Sequence, residues 1–271
     1  MPPVLSGKVA IYGAGGPIAA CAARVLKDHY TLRLTDVRPL PDIAAGKPQS
    51  QGAPLPEVLP APHEWSVVDV ADYEQVREAA RGMDALINCT VIRPHPMLAF
   101  HVNTIGTYHI AKAAAELGIK RIINTGPQMV VVGNGADYSQ EFDVPDEAPE
   151  RPGGELYTHT KYLGYEAMRV FAERYGLEVA EFRYCGFSPA RRPTDVEGGG
   201  AFFFMTAWED TGPPFLHALR APSEAFAQPV ERFHLASGSP HGKFGNAKAA
   251  RLLGWTPDHD FGHLWRRPSA R

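Results

Sequence analysis

A tyrosine and a lysine stand four positions apart in Tyr157-Thr-His-Thr-Lys161, within a stretch whose apolar spacing predicts a helix over residues 157–175. Side chains at i and i+4 share a helix face, so the ammonium is expected beside the phenol, where it favours the ionised ring oxygen. A free phenol titrates near ~10, and a base useful near neutrality needs roughly 4 kcal/mol of preference for its anion. One cation about 4 Å away at an effective dielectric of ~20 contributes about that much before desolvation takes some back. Such a proton acceptor points to redox chemistry at a carbon that carries a hydroxyl.

A second constellation lies near the N-terminus. Gly13-Ala-Gly-Gly16-Pro17-Ile18-Ala19 follows a predicted strand and opens a predicted helix. Gly13 and Gly16 allow backbone to approach a pyrophosphate, Pro17 suits the first helical position, and Ile18 follows it at the helix mouth, where unpaired N–H groups favour an anion. Asp36 ends the second predicted strand 20 residues after Gly16, where a carboxylate can accept both ribose hydroxyls. Asp36 would repel a 2′-phosphate that nearby Arg38 could tolerate, so NAD is expected over NADP. Asp69-Val70, after the third strand, either meets the adenine edge or caps the helix that follows.

The elements that must hold these groups alternate. Short apolar, partly β-branched runs at 8–12, 31–35, 64–68, 85–89, 121–125 and 178–183 are separated by helical patterns at 17–28, 73–80, 97–117 and 157–175. That order predicts an α/β fold, a Rossmann-type doubly wound parallel sheet. Residues 1–185 form the expected NAD-binding domain, and 186–271 a small substrate-binding part partly interleaved with it. The latter holds a flexible Gly198–Gly200 segment, an apolar strand at 201–204, a helix at 208–219, a strand at 233–236 and a helix at 246–253. Residues 37–63, with seven prolines, read as a surface excursion; residues 126–156, acidic, Gly-rich and leading into Tyr157, read as a lid.

Composition narrows the function classes. The chain has 271 residues, is 44% hydrophobic and carries a net charge of −3, with basic residues scattered except for Arg266, Arg267 and Arg271, so nucleic acid is not an expected partner. No apolar run approaches a bilayer span and the N-terminus lacks a leader pattern, so a cytoplasmic protein without a membrane partner is expected. Cys21, Cys89 and Cys185 lack metal or disulfide spacing, the 11 histidines form no ligand motif, and no metal is expected.

Taken together, these residues resemble the extended short-chain dehydrogenase/reductases, the NAD-dependent epimerase/dehydratase group. The resemblance rests on Gly13-x-x-Gly16-x-x-Ala19, Asp36, Asp69-Val70, Asp84-Ala-Leu-Ile-Asn88, Asn103-Thr-Ile-Gly106-Thr, Asp146-Glu-Ala-Pro-Glu-Arg-Pro152, Tyr157-x-x-x-Lys161, Phe182-Arg-Tyr and Lys248-Ala-Ala-Arg-Leu-Leu-Gly254. It implies that Tyr157 transfers the proton and that Lys161 lowers its pKa and binds the nicotinamide ribose. It also implies that Thr90, Val91 and Asn103 lie along the cofactor, and that the run from Tyr184 to Phe187 passes near the carboxamide and substrate. The long helices 97–117 and 157–175 would pair with their copies in a homodimer.

One departure stands out. Where the group carries a serine or threonine at the end of strand five, this chain has Thr125-Gly126-Pro127-Gln128. Proline offers no donor, so Thr125 or Gln128 is expected to contact the reacting oxygen. The missing acid pair after that point argues against a dehydratase. Arg93 and His95, in the loop after strand four, are candidates for the substrate, Arg93 for a planar carboxylate. Three functions remain open in this order: an NAD-dependent dehydrogenase of a small sugar, polyol or uronic acid; a nucleotide-sugar epimerase that retains NADH; and a dinucleotide-binding regulator without catalysis.

Overall fold

The computed structural model describes residues 7–50, 52–132, 142–191, 204–239 and 242–265. The expected Gly198–Gly200 segment, most of the 201–204 strand and the arginines at 266, 267 and 271 lie outside the described residues. Seven strands form one parallel sheet: β1 (Lys8–Tyr12), β2 (Thr31–Asp36), β3 (Glu64–Val67), β4 (Ala85–Asn88), β5 (Arg121–Pro127), β6 (Glu178–Tyr184) and β9 (Val230–His234). β7 (Gly186–Ser188) and β8 (Met205–Ala207) pair separately. The strand order β3-β2-β1-β4-β5-β6-β9 reverses direction between β1 and β4. At such a switch point the crossovers diverge and leave a crevice beyond the strand C-termini.

These strands are apolar on both faces because helices cover both. Val9, Ile11, Leu32, Leu34, Ile87, Ile123 and Phe182 pack on one side, beneath α1 (Pro17–Leu26) and the C-terminal helices α9 (Pro213–Arg220) and α10 (Ala247–Leu253). Ala10, Leu86, Ile122 and Val179 pack on the other, beneath α3 (Tyr73–Ala80), α5 (Thr107–Leu117) and α7 (Leu156–Tyr175). The seventh strand comes from the segment expected to form the substrate part, and it extends the sheet beside β6.

Four expectations need correction. The Pro-rich excursion contains a short helix, α2 (Leu40–Ala44), whose Leu40 and Ile43 are buried. The helix expected at 97–117 is α4 (Pro96–Ala99), a π-helical stretch at Phe100–Gly106, then α5; a Cβ on Gly106 would strike Val70, so the chain runs very close to the β3–α3 connection there. The helix at 208–219 breaks at Gly212 into α8 (Trp208–Thr211) and α9, which begins with Pro213.

The described part of the expected lid is docked rather than free. After the short α6 (Met129–Val132), Val144 bridges to Phe244, Asp146 accepts the His234 N–H at 2.5 Å, and Glu150 accepts Arg183 at 2.6 Å and Arg232 at 2.7 Å. Residues 133–141 lie outside the described residues.

Candidate active site

Gly13 terminates β1 at φ +77°, and a Cβ there would lie 2.8 Å from the Thr90 nitrogen at the end of β4. Glycine is therefore required by backbone conformation and by the closeness of the two strand ends. Gly15, a position the sequence reading passed over, donates its N–H to Asp36 Oδ2 at 2.9 Å. The other Asp36 oxygen accepts the Arg38 N–H at 3.3 Å, while the Arg38 side chain is exposed.

Gly16 is the N-cap of α1, followed by Pro17 and the half-buried Ile18, and no side chain caps this helix end. A Cβ on Gly16 would meet no protein atom closer than 3.4 Å, so the protein's own packing does not demand glycine there. Space at the helix N-terminus, free backbone donors and a carboxylate at the β2 end fit the pyrophosphate and ribose of a dinucleotide.

Lys161, buried at 5% exposure, reaches the tips of β4 and β5. Its Nζ donates to the Thr90 carbonyl at 2.8 Å and the Thr125 carbonyl at 2.9 Å. An ammonium carries three donors, so one N–H is left without a protein partner among the described residues. Burial lowers the Lys161 pKa to about 8, and the carboxylate of Glu181 pulls it back up.

Tyr157 is buried one turn before Lys161 on α7, and burial raises its pKa. The expectation that Lys161 is the cation acting on this phenol is revised: the opposing influence comes chiefly from Arg93, whose guanidinium lies 4.8 Å from the ring centroid. The hydrogen bonds of Lys161 go instead to the Thr90 and Thr125 backbone carbonyls.

Gln128 is fully buried at the end of β5, and neither its Nε2 nor its Oε1 has a hydrogen-bond partner among the described residues. Burying an unpaired amide costs about 1–3 kcal/mol, so this side chain is poised for a polar group from outside the protein. Thr125, the other expected contact to the reacting oxygen, donates its hydroxyl to the Asn88 carbonyl at 2.9 Å and is spent.

Several predicted residues serve the scaffold. Asn103 clamps Ile92, accepting its N–H at 3.0 Å and donating to its carbonyl at 2.7 Å, and gives its second N–H to Thr160 Oγ1 at 3.0 Å, so it shapes the loop that carries Arg93 and has both donors engaged within the protein. Tyr184 is buried in the core and its hydroxyl donates to the Thr211 carbonyl at 3.4 Å. Phe187 stacks on Trp208 with centroids 4.5 Å apart. His95 caps α4, accepting the Leu98 N–H at 3.3 Å.

Val70 packs its side chain into the core, and Asp69 accepts the Ala71 N–H at 2.9 Å within its own turn. The N-cap of α3 is Asp72, not Asp69. Thr90 is buried with its hydroxyl on Asn88 Oδ1 at 2.7 Å, and Val91 is partly exposed beside it. Among the described residues no group of His, Cys, Asp or Glu could hold a metal ion, and no helix is long and apolar enough to cross a membrane.

Residues 9–199 match the NAD dependent epimerase/dehydratase family, and the chain belongs to it. It is 25% identical over 180 residues to a uronate dehydrogenase of Pseudomonas syringae pv. tomato, an alignment covering 65% of this chain but only 58% of that protein. In fold it is similar to a mutated uronate dehydrogenase (TM-score 0.74, 21% identity, 96% of this chain and 84% of the other). It is also similar to the uronate dehydrogenase of Agrobacterium tumefaciens (TM-score 0.71, 23% identity, 97% and 91%).

Proposed function

We propose that this member of the NAD-dependent family is an oxidoreductase that takes hydride from a hydroxyl-bearing carbon of a uronic acid. The observation that carries the reading is the pairing of Tyr157 with Arg93, a proton acceptor and a planar cation in one crevice at the β1–β4 switch. A guanidinium on an exposed loop binds a carboxylate through two parallel hydrogen bonds, and a uronate brings that carboxylate together with oxidisable hydroxyls. The resemblance to uronate dehydrogenases supports the same class.

NAD, when bound, accepts the hydride. Gly13, Gly16 and the α1 N-terminus would hold its diphosphate, and Asp36, fixed by the Gly15 N–H, would hold its adenosine ribose. The free N–H of Lys161 is available to the second ribose. Tyr157 takes the hydroxyl proton as the C–H bonding pair departs and the carbonyl forms. Arg93 lowers the pKa of that phenol and, with the substrate carboxylate across its fork, sets the sugar's orientation. Gln128 gives its unpaired amide N–H to the substrate oxygen, the role the absent strand-five hydroxyl would have filled.

The working form is a cytoplasmic homodimer. Its contact is built on the exposed Ile105 and Tyr108 of the π-helical stretch and α5 and on Leu163 and Val170 of α7. Incubating the protein with NAD and a panel of uronic acids, aldoses and polyols tests the reading. NADH absorbance should accumulate in proportion to turnover with uronates. An altered sugar recovered without net NADH would indicate an epimerase, and NAD binding without turnover of any sugar would leave only a binding protein.

A further inference from the structure

Beneath Lys161 one face of the sheet turns polar along a single register row. Asn88 of β4 pairs with Asn124 of β5, and Asn124 with Glu181 of β6, on the face otherwise filled by Leu86, Ile122 and Val179. Glu181 is 3% exposed. Asn124 Nδ2 donates to Glu181 Oε2 at 2.6 Å, Asn88 Nδ2 donates to Asn124 Oδ1 at 2.8 Å, and the Thr90 hydroxyl donates to Asn88 Oδ1 at 2.7 Å. The Thr90 carbonyl in turn accepts Lys161 Nζ.

The direction of this chain follows from its end group. An ionised carboxylate only accepts, so Asn124 must turn its amide nitrogen to Glu181 and its oxygen to Asn88, which must do the same toward Thr90. Every donor thus points away from the ammonium and toward the carboxylate, an arrangement in which each bond polarises the next.

A second observation ties Glu181 to the site. A Cβ on Gly126 would collide with Glu181 Oε1. Glycine at 126 therefore leaves room for this carboxylate in its present position beside β5. Burial raises the Glu181 pKa, and the Arg183 charge on the same strand opposes this more than Lys161 does. Yet Arg183 gives Glu181 no hydrogen bond, since its Nη2 donates to Glu150 and its Nε and Nη1 have no partner among the described residues, so the hydrogen-bonded path from the carboxylate runs only toward Lys161.

We infer that Glu181 is the buried counter-charge of Lys161, a positioning residue that keeps the ammonium ionised at the cofactor through the Asn124–Asn88–Thr90 row. Its consequence for turnover rests on the oxidoreductase reading; its effect on Lys161 does not. Glu181 faces Lys161 from α7, Glu150 from the segment before α7, Arg183 on its own strand and the Asn124 amide; Lys161 also faces Cys89 at the end of β4 and Arg93. Removing the carboxylate leaves a buried ammonium with only carbonyl partners, so its pKa must fall further.

The test is Glu181→Gln in the full chain, with Lys161 titrated by NMR on isotope-labelled lysines and its resonance assigned by loss in Lys161→Met. The midpoint should fall by on the order of one pH unit, while Glu181→Asp recovers part of the difference. The alkaline limb of kcat/KM should move toward neutrality by the same amount. An unchanged Lys161 midpoint in Glu181→Gln overturns the inference even if the enzyme turns over normally. Absence of any NADH formation by the wild type would sink the oxidoreductase reading and leave the titration as the deciding measurement. If Glu181→Gln does not fold, the wild-type Lys161 curve decides: a second inflection where Glu181 ionises supports the coupling, and a single one refutes it.

Discussion

Replacing Arg93 by methionine separates what this side chain does for the fold from what it does for the substrate. Its guanidinium contacts Tyr157, lying 4.8 Å from the ring centroid, on a loop where the residue is exposed. A cation over an aromatic face at such a site contributes about 0.5–1 kcal/mol, so Arg93→Met should change stability little. A charge-assisted hydrogen bond to a substrate carboxylate is worth about 1.5–3 kcal/mol. Solvent screening favours the lower half of that range, and each 1.4 kcal/mol is tenfold, so kcat/KM for a uronate should drop roughly 10- to 40-fold.

The same substitution acts on the base. Burial holds the Tyr157 pKa up and the Arg93 cation opposes it, so removing the cation raises it further. Because the ionised phenol is the active form, the acid limb of the pH–rate profile should move to higher pH. The assay is initial-rate NADH formation against uronate concentration and pH, with the matching neutral aldose as a control that lacks the carboxylate. A variant whose kcat/KM for uronates stays within roughly threefold of wild type would refute the assignment of Arg93 to the carboxylate.

At the cofactor turn, Gly16→Val should fold normally, since only the Gly13 oxygen lies near its Cβ direction, yet weaken NAD roughly tenfold or more by titration fluorescence. Gly13→Ala should instead lower thermal stability, because it combines a left-handed φ, costing about 1–2 kcal/mol, with a clash against the Thr90 backbone. Asp36→Ala should cost NAD roughly 10- to 100-fold in affinity and narrow the NAD/NADP preference, measured as the ratio of the two dissociation constants. Asp146 is buried with its pKa raised to about 6, chiefly by burial. A carboxyl whose folded pKa exceeds its unfolded value contributes stability below about pH 4 that is lost as pH rises through 6. Asp146→Asn keeps an acceptor for the His234 N–H and should flatten that part of the urea-derived stability profile.

The sheet was legible because its strands lie between two helical layers and are written as short unbroken apolar runs; β1 and α3 fall on the expected boundaries. What was missed depends on tertiary approach. The helix at 97–117 reads as one period, but contact of Gly106 with Val70 and the clamp of Asn103 on Ile92 belong to neighbours far along the chain, and the π-helical stretch lies at that junction. The docking of 142–151 arises from Glu150 meeting Arg183 and Arg232, pairings that no local spacing announces. The helix in the Pro-rich excursion was hidden by the prolines flanking and opening it, residues that also suit a first helical turn.

The site divides in the same way. The glycine turn, Asp36, Tyr157 and Lys161 are local patterns with a mechanism attached, and the fold brings the turn to Asp36 and, through Thr90, to Lys161. The cation assigned to the phenol was a different matter: i, i+4 spacing brings two residues to one helix face but does not say which carbonyls compete for the ammonium, and here Thr90 and Thr125 win it. The strand Glu178-Val-Ala-Glu181-Phe-Arg183-Tyr184 did carry a signal that went unused. In a strand covered on both faces, a charge at a central position must have a buried partner or a task. Asn88 and Asn124 hold the same register row on the adjoining strands, so three polar residues in runs that should be apolar mark the path from Glu181 to Lys161. Gly126, to which the sequence reading gave no task, leaves the space in which the carboxylate sits where that path begins.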